Sequence, residues 1–197
     1  MSRSTMANLI QTVRGLTQAG TAEYTAGTVT YCSDDSIQEV LDRYKYEIRS
    51  SPLVAFSVTT GGGSVSWYDY QSMYRWFEDT DGGTARFIVQ DSIGGTVTNY
   101  TTQPQRGLIT FNSDTSGTAY YLTGFAYDIN GAAADIWTQK GARYATMPDF
   151  QTDNHQVKRS HVMRNIDSMV ARYTALSGVP YQSSDVSTMY RGDYATE

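Results

Sequence analysis

The spacing of apolar residues changes twice along this chain, and that change constrains the fold more than any other feature. Apolar residues recur at intervals of three and four over 5–18, 33–49, 124–146 and 155–177, which predicts four amphipathic helices. Residues 53–123 instead show period-two alternation and glycine-rich turns, which predicts strands. We therefore predict an α+β fold, in which a small helical bundle of about four helices is interrupted by an inserted antiparallel β-barrel or sandwich.

These boundaries divide the 197 residues into four parts. Residues 1–52 and 124–178 are the first and second parts of a helical domain, and 53–123 are the inserted β domain. Residues 179–197 form an extended C-terminal arm, which is mostly polar and carries only isolated apolar side chains. Such a segment cannot build a core of its own, so we expect a partner to order it.

The second predicted helix has a recognisable beginning and end. Ser33, Asp34 or Asp35 can cap the free amides of its first turn, and Ser50 to Pro52 can stop it. Its predicted apolar face consists of Ile37, Val40, Leu41, Tyr44 and Ile48.

The third predicted helix combines a row of apolar residues with a run of small ones. Phe125, Ile129, Ile136 and Trp137 recur at helical spacing. Residues 131–134 are glycine followed by three alanines, so we expect another backbone to approach closely there.

The β-rich block contains six or seven short segments at the regular spacing of a barrel or sandwich. The predicted strands are 53–60, 65–70, 73–78, 85–90, 96–101, 108–111 and 118–123. Gly61 to Gly63 predicts one turn, and Asp81-Gly82 is a strong hairpin signal.

Composition and charge exclude several classes of protein. The chain has no run of about 18 apolar residues, so we expect no membrane-spanning helix. Its N-terminal apolar run is broken by Gln11, Thr12 and Arg14, so we expect no signal peptide. The net charge of −5 argues against a protein held to nucleic acid by its overall field. The single cysteine, Cys32, forms no internal disulfide and suits a reducing cytoplasm.

Tyrosine is the most over-represented residue type, with 16 Tyr against 6 Phe. Tyrosine pairs an apolar ring with a polar tip and is enriched at protein interfaces. We therefore expect part of this set to form contact surface with other chains.

None of the candidate catalytic or metal-binding groups has the partners that its chemistry requires. His155 and His161 are six residues apart, so they do not share a helical face as metal ligands would. Cys32 has no neighbouring histidine to act as its base, so we expect a small buried or half-buried side chain and not a catalytic thiol. The acidic run 78–81 lacks the ligand spacing of a calcium loop. We expect no enzyme activity, no metal and no cofactor.

A small basic patch is predicted on the fourth helix. It consists of Lys158, Arg159 and Arg164. A solvated helix face is one interpretation, and contact with an acidic neighbouring subunit is the other.

Four segments together resemble one protein family. Residues 29–42 carry a Ser-Asp-Asp cap followed by Leu-Asp, and 126–137 carry a Tyr-Asp, triple-alanine, Asp and Trp pattern. Residues 107–111 and the Tyr-Arg-Gly-Asp of 190–193 add to the match. In order and spacing these segments are similar to the head–tail adaptor proteins of tailed bacteriophages, also called connector or head-completion proteins.

The resemblance implies a structural virion protein at the head–tail junction, made in the cytoplasm of the bacterial host. Such adaptors form a homo-oligomeric ring of about twelve copies below the portal protein, closed by head-to-tail contacts. The ring joins the portal to tail or neck proteins and lines a channel through which double-stranded DNA passes without sequence-specific binding. No membrane is involved.

The resemblance also suggests roles for individual residues. Tyr190, Arg191 and Asp193 become candidate contacts to the portal protein. The candidate packing contacts between subunits are Ala132, Ala133, Ile136 and Trp137. The β insert distinguishes this chain from the minimal helical adaptor, and we expect it to project toward later tail components.

Two other functions remain open from the sequence. The aromatic residues of the block could form a sugar-stacking platform on a carbohydrate-binding module; they are Trp67, Tyr68, Tyr70, Tyr74, Trp76 and Phe77. Carboxylates that meet only in the folded chain could also form a glycosidase site.

Overall fold

The computed structural model describes residues 2–181, except 22, 27–28, 60–62, 80–86, 146–149, 153–154 and 158. At 24, 26, 29, 150–152 and 155–157 only the backbone is described. The candidate portal contacts Tyr190, Arg191 and Asp193 lie outside the described residues, as does the Asp81-Gly82 turn.

The fold is α+β, as predicted. The α-helices of the described chain are α1 (Ala7–Thr17), α2 (Asp34–Arg43), α3 (Ile129–Ala145) and α4 (Arg159–Leu176). The strands are β1 (Tyr24–Ala26), β2 (Val29–Tyr31), β3 (Lys45–Pro52), β4 (Val54–Thr59), β5 (Val65–Gln71), β6 (Phe87–Gln90), β7 (Thr96–Val97), β8 (Tyr100–Gln103), β9 (Leu108–Phe111), β10 (Tyr121–Tyr127), β11 (Phe150–Thr152) and β12 (His155–Val157). Short 3-10 turns lie at Ser4–Met6 and Pro104–Arg106.

Two four-stranded antiparallel sheets make up the β part. Their strand orders are β3-β10-β6-β7 and β4-β5-β9-β8, and β1–β2 and β11–β12 are separate hairpins. The two sheets share one apolar core, which contains Ile48, Leu53, Tyr70, Phe77, Phe87, Val89, Ile109, Phe111, Leu122 and Ala126. Neither sheet closes on itself within the described residues, so the predicted barrel or sandwich is a sandwich.

The second predicted helix is too long. It begins as expected, because the Ser33 side chain accepts a hydrogen bond from the amide of Ser36, but α2 ends at Arg43. Residues 45–52 form β3, which pairs with β10 along its length. Tyr46 and Ile48 face inward between the exposed Lys45, Glu47 and Arg49. This alternation is typical of a strand. The helix prediction was wrong because the four-residue spacing of Tyr44 and Ile48 also fits a helical face.

Two other predicted helices begin too early, and the strand predictions need two changes. Residues 124–127 belong to β10, so Phe125 lies in a strand, and α3 begins only after Asp128. Residues 155–157 form β12, and α4 begins at Arg159.

The predicted strand 73–78 is an irregular connection with single bridges at Tyr74 and Phe77. The predicted strand 96–101 is divided between β7 and β8, which belong to different sheets.

Helix α3 lies at the centre of the helical part. One side packs on α1 and α2 in a second core, made of Met6, Leu9, Ile10, Val13, Cys32, Ile37, Val40, Leu41, Tyr127, Ile129, Ala132 and Ile136. Its other side packs on α4 through Ala133, Ala134 and Tyr173. The small residues of α3 therefore let α4 approach closely, and the hydroxyl of Tyr173 donates to the Leu16 carbonyl at 3.1 Å.

Gly131 tests how closely α3 is packed. A Cβ at this position would lie 2.6 Å from the Tyr44 ring and 2.8 Å from Oδ2 of Asp128. We predict that Gly131→Ala lowers the free energy of unfolding by about 1–3 kcal/mol, although alanine is the better helix former. The matched control is Gly15→Ala in α1, where a Cβ meets no atom within 4 Å. The control should raise stability by up to about 1 kcal/mol in urea titrations. Equal effects at both sites would contradict the close packing.

Candidate functional site

A buried carboxylate joins the helical part to the sandwich. Glu78 is fully buried, and it lies in the connection that follows β5. Its Oε1 accepts hydrogen bonds from Thr5 Oγ1 at 2.6 Å and Arg3 Nε at 2.9 Å. Its Oε2 accepts from the Tyr127 hydroxyl at 2.7 Å. Arg3 also forms a two-pronged pair with Asp42 on α2, at 2.6 and 3.0 Å.

These five residues, the Glu78 network, are joined by hydrogen bonds, and Arg3 pairs with both carboxylates. Burial raises the pKa of Glu78, but the hydrogen bonds from Thr5, Tyr127 and Arg3 outweigh it, and the net pKa is lower than usual. Burial and the Glu78 carboxylate both raise the pKa of Tyr127. Glu78 is therefore an ionised structural carboxylate, and its fully buried position leaves no approach for a substrate.

A second carboxylate links the start of α3 to the segment that follows α4. Asp128 follows β10 directly, and its Oδ1 accepts from the amides of Asn130 and Gly131, both at 3.0 Å. Its Oδ2 accepts from Ser177 Oγ at 2.6 Å and from the Gly178 amide at 2.8 Å. We call this set the Asp128 junction. One side chain thus caps the start of α3 and holds the chain just past the end of α4.

The segment after α4 continues onto the sandwich. The Arg75 amide donates to the Pro180 carbonyl at 2.9 Å. Tyr181 forms a β-bridge with Tyr74, and the two rings stack with centroids 5.1 Å apart. The backbone is therefore held from Ser177 to Tyr181.

Cys32 belongs to a third polar cluster, which links α3 to the loops. Lys140 is buried and donates to the Thr17 carbonyl at 2.8 Å and to Glu23 Oε1 at 2.9 Å. The Cys32 thiol donates to Glu23 Oε2 at 3.3 Å. Burial, followed by the hydrogen bond to Glu23, raises the pKa of Cys32 to about 11. The thiol is buried and protonated at neutral pH, so the prediction of a buried side chain is confirmed.

An open groove lies beside this cluster. It has a volume of about 620 Å³, and we call it the α3–α4 groove. Its walls include Glu23, Trp137, Lys140, Tyr144, Asn165, Ile166 and Met169. Within the described part of the chain, the indole Nε1 of Trp137 is buried without a hydrogen-bond partner.

The structure separates the four residues predicted to pack between subunits. Ala132 and Ile136 lie in the core with α1 and α2, and Ala133 faces α4. These three side chains are at most 2% exposed and pack within their own chain, so a neighbouring subunit cannot reach them in this conformation. Trp137 differs, because it lines the α3–α4 groove.

The six aromatic residues of the predicted sugar platform do not share a face. Tyr70 and Phe77 are buried in the core of the sandwich. Trp76 packs against the helical core, and Tyr74 is covered by Tyr181. Tyr68 is the most exposed of the large rings in the set, at 38%. Carbohydrate binding stays a prediction that these positions do not favour.

The remaining candidates lie on or near α4. Arg159 and Arg164 are exposed on this helix, as is His161, whereas Lys158 lies outside the described residues. The groups predicted from the sequence are thus not brought together into one site. The polar clusters that the sequence did not predict draw their members from distant parts of the chain.

Comparison with protein-family models, with curated proteins and with solved structures finds no match for this chain. Among the described residues, no three His, Cys, Asp or Glu side chains are grouped so that they could hold a metal ion. None of the described helices combines the length and apolar character needed to cross a membrane.

Replacing the buried carboxylate tests the Glu78 network. We predict that Glu78→Gln lowers the free energy of unfolding at pH 7 by about 2–3 kcal/mol, because charge-assisted hydrogen bonds are lost. The lowered pKa of Glu78 stabilises the wild-type fold above the unfolded pKa of about 4.3, and this stability is lost as the pH falls further. The difference between the proteins should therefore shrink below pH 4.

The control is Glu47→Gln, which removes an exposed pair with Arg49 on β3 and should change stability little. Urea titrations from pH 3 to pH 8 measure both variants. A Glu78→Gln protein as stable as the wild type at pH 7 would show that the network does not hold the fold together.

The reactivity of Cys32 is a further prediction. With a pKa raised to about 11, the thiol should react with a disulfide reagent at pH 8 far more slowly in the folded protein than in guanidinium. Absorbance of the released thiolate measures both rates, and Cys32→Ser gives the background. Equal rates in the folded and unfolded states would contradict a buried, protonated thiol.

Proposed function

We propose that this chain is a structural virion protein of a tailed bacteriophage, an adaptor at the head–tail junction. About twelve copies form a closed ring below the portal protein and line the channel for double-stranded DNA. The ring joins the portal to tail or neck proteins. The protein is made in the host cytoplasm and ends in the virion.

The observation that carries this proposal is the anchorage of the C-terminal segment. The Asp128 junction holds Ser177 and Gly178, and the 73–76 connection holds Pro180 and Tyr181. The last described residue, Tyr181, is therefore held at a fixed point against Tyr74. A binding segment with a fixed origin searches a smaller volume, which favours its attachment to a partner at a set position.

The composition of 182–197 suits an arm that is ordered by a partner. Its apolar members are few, and Asp185, Asp193 and Glu197 outnumber Arg191 among the charges. The ordering cost is met when the partner is present, which makes binding conditional on the assembled portal. Tyr190 offers the large ring that interfaces prefer.

Two surface features support contact between neighbouring subunits. The Trp137 side chain lines the open α3–α4 groove, which a side chain of an adjacent copy could enter. The exposed Arg159 and Arg164 of α4 suit an acidic neighbouring surface. The net charge of −5 in turn repels phosphate, which suits a channel that lets DNA pass.

Removal of the arm tests the proposal. We predict that a chain ending at Tyr181 keeps its thermal unfolding midpoint, because every anchoring contact named above is retained. The same chain should no longer add a ring to the narrow end of the portal protein encoded near its gene, as seen by negative-stain imaging. The full-length protein should add this ring and reveal its symmetry.

A full-length variant with Tyr190, Arg191 and Asp193 all changed to alanine separates these side chains from arm length. It should fail in the same assay, whereas changing Ser183, Ser184 and Thr188 to alanine should not. If the chain ending at Tyr181 still docks, the arm is not the portal contact. If the full-length protein and the portal stay apart at all salt concentrations, the adaptor function itself is wrong.

A further inference from the structure

The outer edge of β4 has none of the charges that protect sheet edges. Strand β4 pairs with β5 on one side, and no described strand pairs with its other side. The segment 53–67 contains no Asp, Glu, Lys or Arg. The edge strand of the other sheet, β3, exposes Lys45, Glu47 and Arg49. Charges of this kind prevent edge strands from pairing with other chains.

Apolar side chains follow the unprotected edge. Val54, Phe56 and Val58 are two residues apart along β4, so they point to the same face, with Phe56 half-buried between the two exposed valines. The pairing with β5 shifts register directly after Phe56, where Tyr68 of β5 has no residue opposite it, so the extra residue lies in β5. Ala55 points to the opposite face, where it packs on the core of the sandwich. The apolar row therefore faces away from the core, and Val54 and Val58 are 53% and 50% exposed.

Among the described residues no third strand pairs with the far half of the β4–β5 hairpin, although Asp114 and Thr115 hydrogen-bond to the Trp67 backbone on the β5 side. Ser57 to Thr59 pair with Val65 to Trp67, whereas β9 pairs with β5 only from Asp69 to Gln71. Val65 in this ribbon is 49% exposed. A two-stranded ribbon is marginally stable in water, and a third strand added beside β4 would stabilise it.

The sequence of β4 identifies the strand that fits. Residues 54–58 are Val, Ala, Phe, Ser and Val, so large and small side chains follow the same order in both directions. In antiparallel pairing centred on Phe56, Val54 lies opposite Val58 of a second copy, and the two Phe56 rings are neighbours on one face. Neither strand carries a charge, so the pairing buries no ion and creates no repulsion.

We propose that β4 pairs with β4 of a second copy of this chain, antiparallel about a two-fold axis at Phe56. The β4-β5-β9-β8 sheet of one copy then continues into the same sheet of the second copy. A two-fold contact cannot close a head-to-tail ring, so this dimer is an arrangement of the protein outside the ring and stands independently of the adaptor function.

The size of the contact sets its strength. A junction of two six-residue strands falls in the range of small interfaces, below about 1,200 Å², so its dissociation constant should lie between roughly 10 and 1000 μM. Sedimentation equilibrium of the full chain alone, from 5 μM to 1 mM, measures this association without any portal protein.

A charge placed in the apolar row tests the contact. Val58→Lys should weaken the dimer at least about tenfold, because the two-fold axis repeats the loss at both Val54–Val58 pairs. Ile93→Lys is the matched control, since it adds the same charge in the exposed turn between β6 and β7. It should dimerise as the wild type does, and circular dichroism verifies that both variants are folded.

A double variant tests the register. Val54→Asp combined with Val58→Lys places opposite charges across both symmetric pairs, so it should recover dimerisation that either single substitution loses. Three results would overturn the proposal: a wild-type monomer up to 1 mM, equal association of Val58→Lys and Ile93→Lys, or no recovery in the double variant. Open-ended growth in place of a dimer would also overturn it, because β4 would then bind a different surface.

Discussion

The buried carboxylate of Glu78 determines how the helices sit on the sandwich. Apolar surfaces can slide across each other, but a carboxylate held by Thr5, Arg3 and Tyr127 accepts one geometry. Burying that charge costs free energy, and the three hydrogen bonds together with the positive charge of Arg3 offset the cost. Because Arg3 also binds Asp42, the N-terminal turn, α2, the connection after β5 and β10 are fixed at one point. The orientation of the helical part relative to the sandwich is therefore fixed.

Strand β10 and helix α3 carry this orientation through the rest of the molecule. β10 lies between β3 and β6, and α3 lies between α4 and the α1–α2 pair, so the chain passes from the middle of one layer into the middle of the next. Asp128 stands at that step and also holds the segment beyond α4. The described chain up to Tyr181 is therefore tied to the same point as the start of α3.

Local signals in the sequence predicted the fold class and several elements, and long-range contacts decided the rest. The cap at Ser33 and the inward face of Ile37, Val40 and Leu41 depend on neighbours within a few residues, so they could be predicted. The end of α2 could not, because Tyr44 and Ile48 fit a helix and the pairing of β3 with β10 decides the outcome. The members of the Glu78 network come from four distant segments, and only an acidic residue at the end of an apolar run could have indicated the network. The small residues of α3 predicted the close approach of another backbone, whereas the groups nearest to Gly131 are the side chains of Tyr44 and Asp128 in the same chain.

The pairing of β3 with β10 has a consequence for the order of synthesis on the ribosome. Ser50 and Thr123, hydrogen-bonded across these strands, are 73 residues apart in the chain. While the intervening hairpins emerge, β3 has no partner, and its alternating charges then keep a nascent strand soluble. The first sheet can form only when β10 arrives, and the helical core soon after, since α3 follows directly. The central elements β10 and α3 are therefore translated late, and the first half of the chain cannot complete its tertiary contacts before they emerge.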